Sequence, residues 1–189
     1  MKRRFSNIGI RQFAAGSMAF MLLCFSAGKA AAEIEIEVDP IAFALKGHSF
    51  HVAYAGDENR FDLGIFALEL PEDSSNKYFT VFFKGYGVKW DYFGGSVEGG
   101  FIGVQASTAN VEFEYDDPDD NISKQSTRRR VNNYGVRVGY RFGADGFYIT
   151  PWISADKNEL IGDPVVLAGE EYDLSEISLF PTVHIGYRF

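Results

Sequence analysis

A strict two-residue alternation that runs to the last residue restricts this chain more than any other feature. In "FPTVHIGYRF", Val183, Ile185, Tyr187 and Phe189 share one side of an extended strand, while Thr182, His184, Gly186 and Arg188 share the other. "NNYGVRVGYRFG" repeats the pattern, with Tyr134, Val136, Val138, Tyr140 and Phe142 against Gly135, Arg137, Gly139 and Arg141. After "GADG", Phe147, Ile149 and Ile153 oppose Tyr148, Thr150, Trp152, Ser154 and Asp156. A period of two is the period of a strand, not a helix. Arginine on one face and aromatics on the other then decide what each face meets. A lipid-facing arginine at mid-bilayer costs about 2–4 kcal/mol. Arg137, Arg141 and Arg188 therefore point inward and the tyrosines, valines and phenylalanines point out. A soluble sandwich would bury the apolar face instead. The aromatics at the segment ends favour a membrane, where such residues form interfacial girdles.

The front of the chain reads as a leader. Lys2, Arg3, Arg4 and Arg11 precede an uncharged run from Phe13 to Phe25, and Ala30, Ala31 and Ala32 offer a cleavage site. This order predicts a secretory signal peptide over 1–32 and one barrel domain over 33–189. The run is too short for a spanning helix, which needs roughly 20 apolar residues. Leu23 stands where a lipoprotein signal would place a small residue before Cys24. Without the leader the domain has 13 basic and 26 acidic residues and no cysteine. Stability must come from pairing and packing rather than disulfides, and the acidic balance argues against nucleic acid as a partner.

Working back from the end, the alternation predicts strands near 177–189, 146–156, 131–142, 99–115, 79–92, 61–70 and 48–55. Single-chain bacterial barrels have even strand numbers, so "IEIEVDPIAFAL" supplies an eighth near 34–45. The same stretch also reads as a short helix, with Asp39 as N-cap, Pro40 at the first position and Gly47 beyond the end. Compact turns at Gly143–Gly146, Phe93–Gly100 and Gly56–Arg60 mark the periplasmic end, and the long polar segments Asp116–Arg130 and Lys157–Ser175 mark the outside.

The ending "VHIGYRF" resembles the terminal β-signal of bacterial outer-membrane barrels. That resemblance implies that Val183, Ile185, Tyr187 and Phe189 are read by the barrel assembly machinery, with periplasmic chaperones as escorts. The domain as a whole resembles the small barrels of the OmpA, OmpX and OmpW type. "YRFGADGFYITPW" together with "FPTVHIGYRF" is similar to outer-membrane β-barrel proteins of Gram-negative bacteria. The implied fold is all-β: an eight-stranded antiparallel up-and-down transmembrane β-barrel, with room for a short N-terminal helix. The implied setting is the outer membrane of a Gram-negative bacterium, among outer-membrane lipids and lipopolysaccharide, as a monomer.

Eight strands leave an interior just wide enough for side chains or one small ligand. Facing parity puts His51, Asp62, Lys89, Asp91, Arg137, Arg141, Asp156, His184 and Arg188 there. Low dielectric makes each unpaired member costly, so a paired network that fills the barrel is expected. A narrow polar pathway for small solutes is the alternative. A second alternative is a lipid A-modifying hydrolase, since small barrel lipid A deacylases pair a histidine and a serine with an acidic partner. In "GHSFH", the neighbours His48 and Ser49 point to opposite faces. Ser49 and His51 share the lumen face, with Asp62 in reach as an orienting group. Outside, "DDPDDN" lacks the ligand spacing of an EF-hand loop, and Arg128, Arg129 and Arg130 suit either the nearby acidic residues or lipid phosphates. "PVVLAGEEYDL" reads as a hairpin turning at Gly169 that extends a strand beyond the membrane. The expected role is structural or surface-interacting, without catalysis, metal or cofactor. A soluble periplasmic barrel remains the counter-reading.

Overall fold

The alternating segments form strands, and successive strands pair as hairpins. The structure is a computed structural model that describes residues 33–70, 76–117, 124–144 and 146–189. The leader expected over 1–32 and most of the "DDPDDN" run lie outside them. The strands are β1 (Glu33–Val38), β2 (His48–Ala55), β3 (Asn59–Leu70), β4 (Phe79–Phe93), β5 (Gly99–Tyr115), β6 (Gln125–Ala144), β7 (Phe147–Ile161), β8 (Val166–Leu167), β9 (Glu170–Glu171) and β10 (Ile177–Arg188). Eight close into an antiparallel ring in the order β1-β10-β7-β6-β5-β4-β3-β2, while β8 and β9 form a separate two-stranded sheet. The seam that closes the ring is short, running only from Glu35↔Arg188 to Val38↔Ile185. The Phe189 N–H extends it by one bond to the Ile34 carbonyl at 3.0 Å.

The eighth segment is both a strand and a helix. β1 stops at Val38, and Pro40–Ala44 forms helix α1. Asp39 caps it by accepting from the Ile41 N–H at 2.8 Å, and Pro40 occupies the start, where its missing N–H costs nothing. Of the two readings of this stretch, the strand holds up to Val38 and the helix from Pro40, because an N-cap followed by proline ends a ladder and starts a helix.

The outward face carries an apolar belt. Phe50, Val52, Leu63, Ile65, Tyr86, Val88, Ile102, Val104, Val136, Val138, Ile149 and Ile153 are all exposed on it. Along β6 it runs from Tyr134 to Phe142, nine residues. At ~3.3 Å per residue and a tilt near 40° this is roughly 23 Å, close to the ~25 Å apolar band of an outer-membrane barrel. Tyr92, Tyr140, Phe142, Phe147 and Phe189 gird the end that bears the short turns.

Beyond the belt the alternation keeps its phase but inverts its chemistry. On β5, Ile102 and Val104 point out; farther along, Val111, Phe113 and Tyr115 point in and are buried. Glu112 and Glu114 take the outward positions there. This corrects two expected strand ends. β6 begins at Gln125 rather than 131, and β7 runs to Ile161 rather than 156. Above a membrane, water lies outside the wall, so the apolar face must turn inward. β8 and β9 complete that upper core. Val165 and Leu167 pack with Phe79, Val81, Val111, Phe113 and Val131. Tyr172 meets the rings of Phe79 and Phe113 at centroid distances of 5.3 and 4.9 Å. The hairpin therefore folds over the barrel mouth instead of extending a strand. Its turn uses Gly169 as expected, at φ +89°.

Candidate functional site

The interior at belt depth is charged. Arg60, on β3, is 1% exposed and faces four carboxylates: Glu35 at 2.7 Å, Glu37 at 2.8 Å, Asp62 at 3.0 Å and Asp91 at 3.3 Å. Arg141 reaches Glu35 at 2.8 Å and Glu37 at 3.4 Å, and stacks 4.1 Å over the Tyr148 ring. Arg188 adds contacts to Glu35 at 3.1 Å and Glu33 at 2.9 Å. Tyr148 donates to Glu35, and Thr182 donates to Asp39 at 2.7 Å. Gln105 donates to Asp156 at 2.7 Å, and Ser154 donates to the same carboxylate.

Arg137 is held differently. It lies 3.3 Å from Asp91, yet its Nε and Nη1 donate no hydrogen bond. Its guanidinium sits over Trp152 at 4.0 Å and near Phe101 at 5.2 Å. Stacking of this kind suits arginine's planar, weakly hydrated head.

A second cluster lies nearer the loop end. Ser49 Oγ is 2.8 Å from His51 Nε2, and His51 Nδ1 is 2.9 Å from Asp62 Oδ1. Lys89 Nζ lies 3.1 Å from the same Nδ1 and 3.4 Å from Asp62. His184 binds Glu37 through Nδ1 at 2.8 Å, and its ring stacks on His51 at 4.7 Å. The His51 ring occupies the space beside Gly64 on β3. A Cβ at that glycine would come within 2.1 Å of Nδ1.

The nine residues assigned to the lumen by parity all take inward positions; eight are linked by the contacts just described, and Asp156 is held separately by Gln105 and Ser154. The lumen set left out Glu35, Glu37, Arg60 and, although parity had already put it on the inward face, Tyr148. The first two were legible, since "EIEIEV" places glutamate at every second position. Arg60 sits at a strand start, where it read as part of a turn. The three consecutive arginines separate. Arg128 pairs with Glu112 at 2.8 Å, Arg129 turns to the Asp163 carbonyl at 3.2 Å, and Arg130 is exposed. Lys124 pairs with Glu114 at 2.8 Å, and that hydrogen bond raises its pKa. The carboxylates that meet this basic stretch thus come from β5. Among the described residues no group of histidine, cysteine, aspartate and glutamate has the arrangement of a metal site.

No protein-family model and no curated protein matches the chain. Solved structures do. A major outer membrane protein from Thermus thermophilus superposes at a TM-score of 0.50 and 15% identity, over 84% of this chain and 100% of that one. The N-terminal β-barrel domain of Pseudomonas aeruginosa OprF gives 0.39 at 12% identity, over 86% and 100%. Neisserial surface protein A gives 0.45 at 8% identity, over 84% and 96%. At such identities the likeness speaks of fold. The chain has the fold of a small outer-membrane β-barrel, with eight antiparallel strands hydrogen-bonded in a ring and one short helix.

Proposed function

We propose that the protein is a resident of the Gram-negative outer membrane with a structural or surface-interaction role, and that it is a filled barrel rather than a conduit. The observation that carries this reading is the lumen at belt depth. Arg60, Arg137, Arg141, Glu35, Glu37, Asp62 and Asp91 are each at most 3% exposed. A conducting path would have to separate these pairs, and a buried charge that loses its partner costs about 3–5 kcal/mol. The upper core under β8 and β9 closes the other end of the same interior.

On this reading, no solute passes through the lumen, and the outer surfaces meet the surroundings. The belt meets outer-membrane lipids. Arg130 and Lys84 stand exposed on either side of Asn110, across paired strands at the edge of the belt. They suit the phosphates of lipopolysaccharide. A groove of about 590 Å³ lies between the end of β7 and the segment after β9, lined by apolar residues such as Leu160 and Leu174 as well as Glu171, Asp173 and Glu176. The assembly machinery would read Val183, Ile185, Tyr187 and Phe189, and the protein would act as a monomer. The test is a gel with and without boiling, followed by planar-bilayer recording from the same folded sample. A shift in migration with no conductance is expected. Reproducible single-channel steps would refute the filled barrel in favour of a narrow channel. Solubility without detergent would refute the membrane placement.

A further inference from the structure

Two independent features meet at Ser49. The first is the order Ser49 Oγ, His51 Nε2, His51 Nδ1, Asp62 Oδ1, with links of 2.8 and 2.9 Å. That is the geometry of nucleophile, base and orienting carboxylate. Strand chemistry explains it. Residues i and i+2 share a face, and Asp62 sits diagonally across from His51 because Ala53 pairs with Asp62 and His51 with Gly64. Two tautomers compete at His51, because the Lys89 ammonium also lies 3.1 Å from Nδ1. The one in which Nδ1–H donates to the Asp62 carboxylate in a charge-assisted bond leaves the Nε2 lone pair facing the serine hydroxyl, which is the arrangement a base needs. Lys89 and Arg60 hold Asp62 in place from its other sides, at 3.4 and 3.0 Å.

The second feature is an interrupted wall. β1 ends at Val38, opposite Ile185. The stretch Ile177–His184 of β10 therefore pairs with β7 alone and has no strand on its other edge. Helix α1 stands in that place, packing on β2, β3 and β10. Its Ala42 is buried, while Ile41 and Phe43 face outward. The Asp39 N–H bonds the Ser49 carbonyl at 3.4 Å, which ties the helix start to the serine. Around this corner the outer surface is apolar: Phe43 and Phe50 are each 47% exposed and Leu179 is 69% exposed. A sheet edge at membrane depth is costly unless something covers it. The five-residue helix is capped at its start by Asp39 and tied at its end to β3, by the Glu69 N–H on the Leu45 carbonyl at 3.1 Å and the Lys46–Glu69 pair at 2.7 Å, so the edge is covered by end contacts and not by a strand ladder.

We infer that Ser49, His51 and Asp62 form a serine-hydrolase site for the ester-linked acyl chain of an outer-leaflet amphiphile, which reaches Ser49 sideways past α1. The inference shares the outer-membrane placement proposed above and adds a chemistry to it. Ser49 Oγ attacks the ester carbonyl carbon while its proton passes to His51 Nε2. The ester C–O bond breaks, and the same proton leaves on the alcohol oxygen. Water then attacks the acyl-Ser49 ester, gives a proton to His51, and releases the fatty acid as Ser49 recovers its proton. Asp62 is the positioning residue, acting through His51. Apolar flanks and burial in the wall select a chain over a headgroup, and an ester is the acyl linkage that this trio cleaves most readily.

The test uses the full barrel folded in micelles and verified by its gel shift. It is incubated with a long-chain alkyl fluorophosphonate, and the adduct is mapped by mass spectrometry. Labelling at Ser49 is expected, none in Ser49→Ala, and labelling slowed about a thousandfold or more in His51→Asn and Asp62→Asn. Vesicles of phospholipid and lipopolysaccharide should then release free fatty acid. A wild-type barrel with the normal gel shift but no adduct at Ser49 overturns the inference and leaves the filled-barrel reading untouched. An adduct without fatty acid release overturns the choice of substrate. Asp62→Asn that folds and labels at the wild-type rate shows Asp62 to be a lumen filler only.

Discussion

Replacing Arg60 with methionine keeps an unbranched, buried side chain and removes its charge. Among the described residues the lumen holds six carboxylates (Glu35, Glu37, Asp39, Asp62, Asp91 and Asp156) against the five cations Arg60, Lys89, Arg137, Arg141 and Arg188. Removing Arg60 leaves four. Its four partners would not be wholly abandoned. Glu35 and Glu37 keep Arg141, Asp62 keeps Lys89, and Asp91 keeps Arg137. The loss is therefore one broken buried network, about 3–5 kcal/mol, and not four times that figure. The assay is a urea titration in thin-bilayer vesicles followed by tryptophan fluorescence, which Trp90 on the belt and Trp152 in the lumen both report. Arg137→Met serves as the control. Arg137 makes one ion pair and stacks on Trp152, so methionine should cost no more than about 1 kcal/mol. A loss below about 1 kcal/mol for Arg60→Met, or equal losses for the two variants, would refute the claim that Arg60 is the hub.

Gly64→Ala should cost about 1–3 kcal/mol, read in the same titration, because its Cβ would lie 2.2 Å from His51 Cε1 and the ring must shift. The same variant should lose fluorophosphonate labelling at Ser49, since a displaced His51 cannot serve as base. Phe189→Ala should leave in vitro stability within about 0.5 kcal/mol, because the side chain is 69% exposed, while lowering the amount of folded protein in the outer membrane of expressing cells. Normal outer-membrane levels would show that the terminal aromatic is not read during assembly.

Which way each side chain faces is legible in the chain before it folds. The strand period is two, and a charge cannot face lipid cheaply, so Arg137, Arg141 and Arg188 had to turn inward wherever their neighbours lay. The Asp39-Pro40 start of a helix was equally legible, being a local matter of one cap and one missing donor. Strand length was less so. Starting β6 at Val131 treats the loss of outward apolar residues as the loss of a strand. The wall in fact continues with Thr127 and Arg129 inward and Arg128 and Arg130 outward. Only the folded upper core, with β8 and β9 on it, shows why the pattern inverts there. Which side chains become partners follows from the closed ring. Glu35 and Arg141 lie 106 residues apart, and Glu37 and His184 lie 147 apart. Facing says that both enter the lumen, not that they meet. That depends on the stagger at which eight strands close, which the short β1–β10 seam sets. The same closure brings α1 into the gap beside β10, whereas the bonded trio of Ser49, His51 and Asp62 needs only the register of the β2–β3 hairpin. Periodicity is a property of each strand, whereas register around a ring belongs to all eight together.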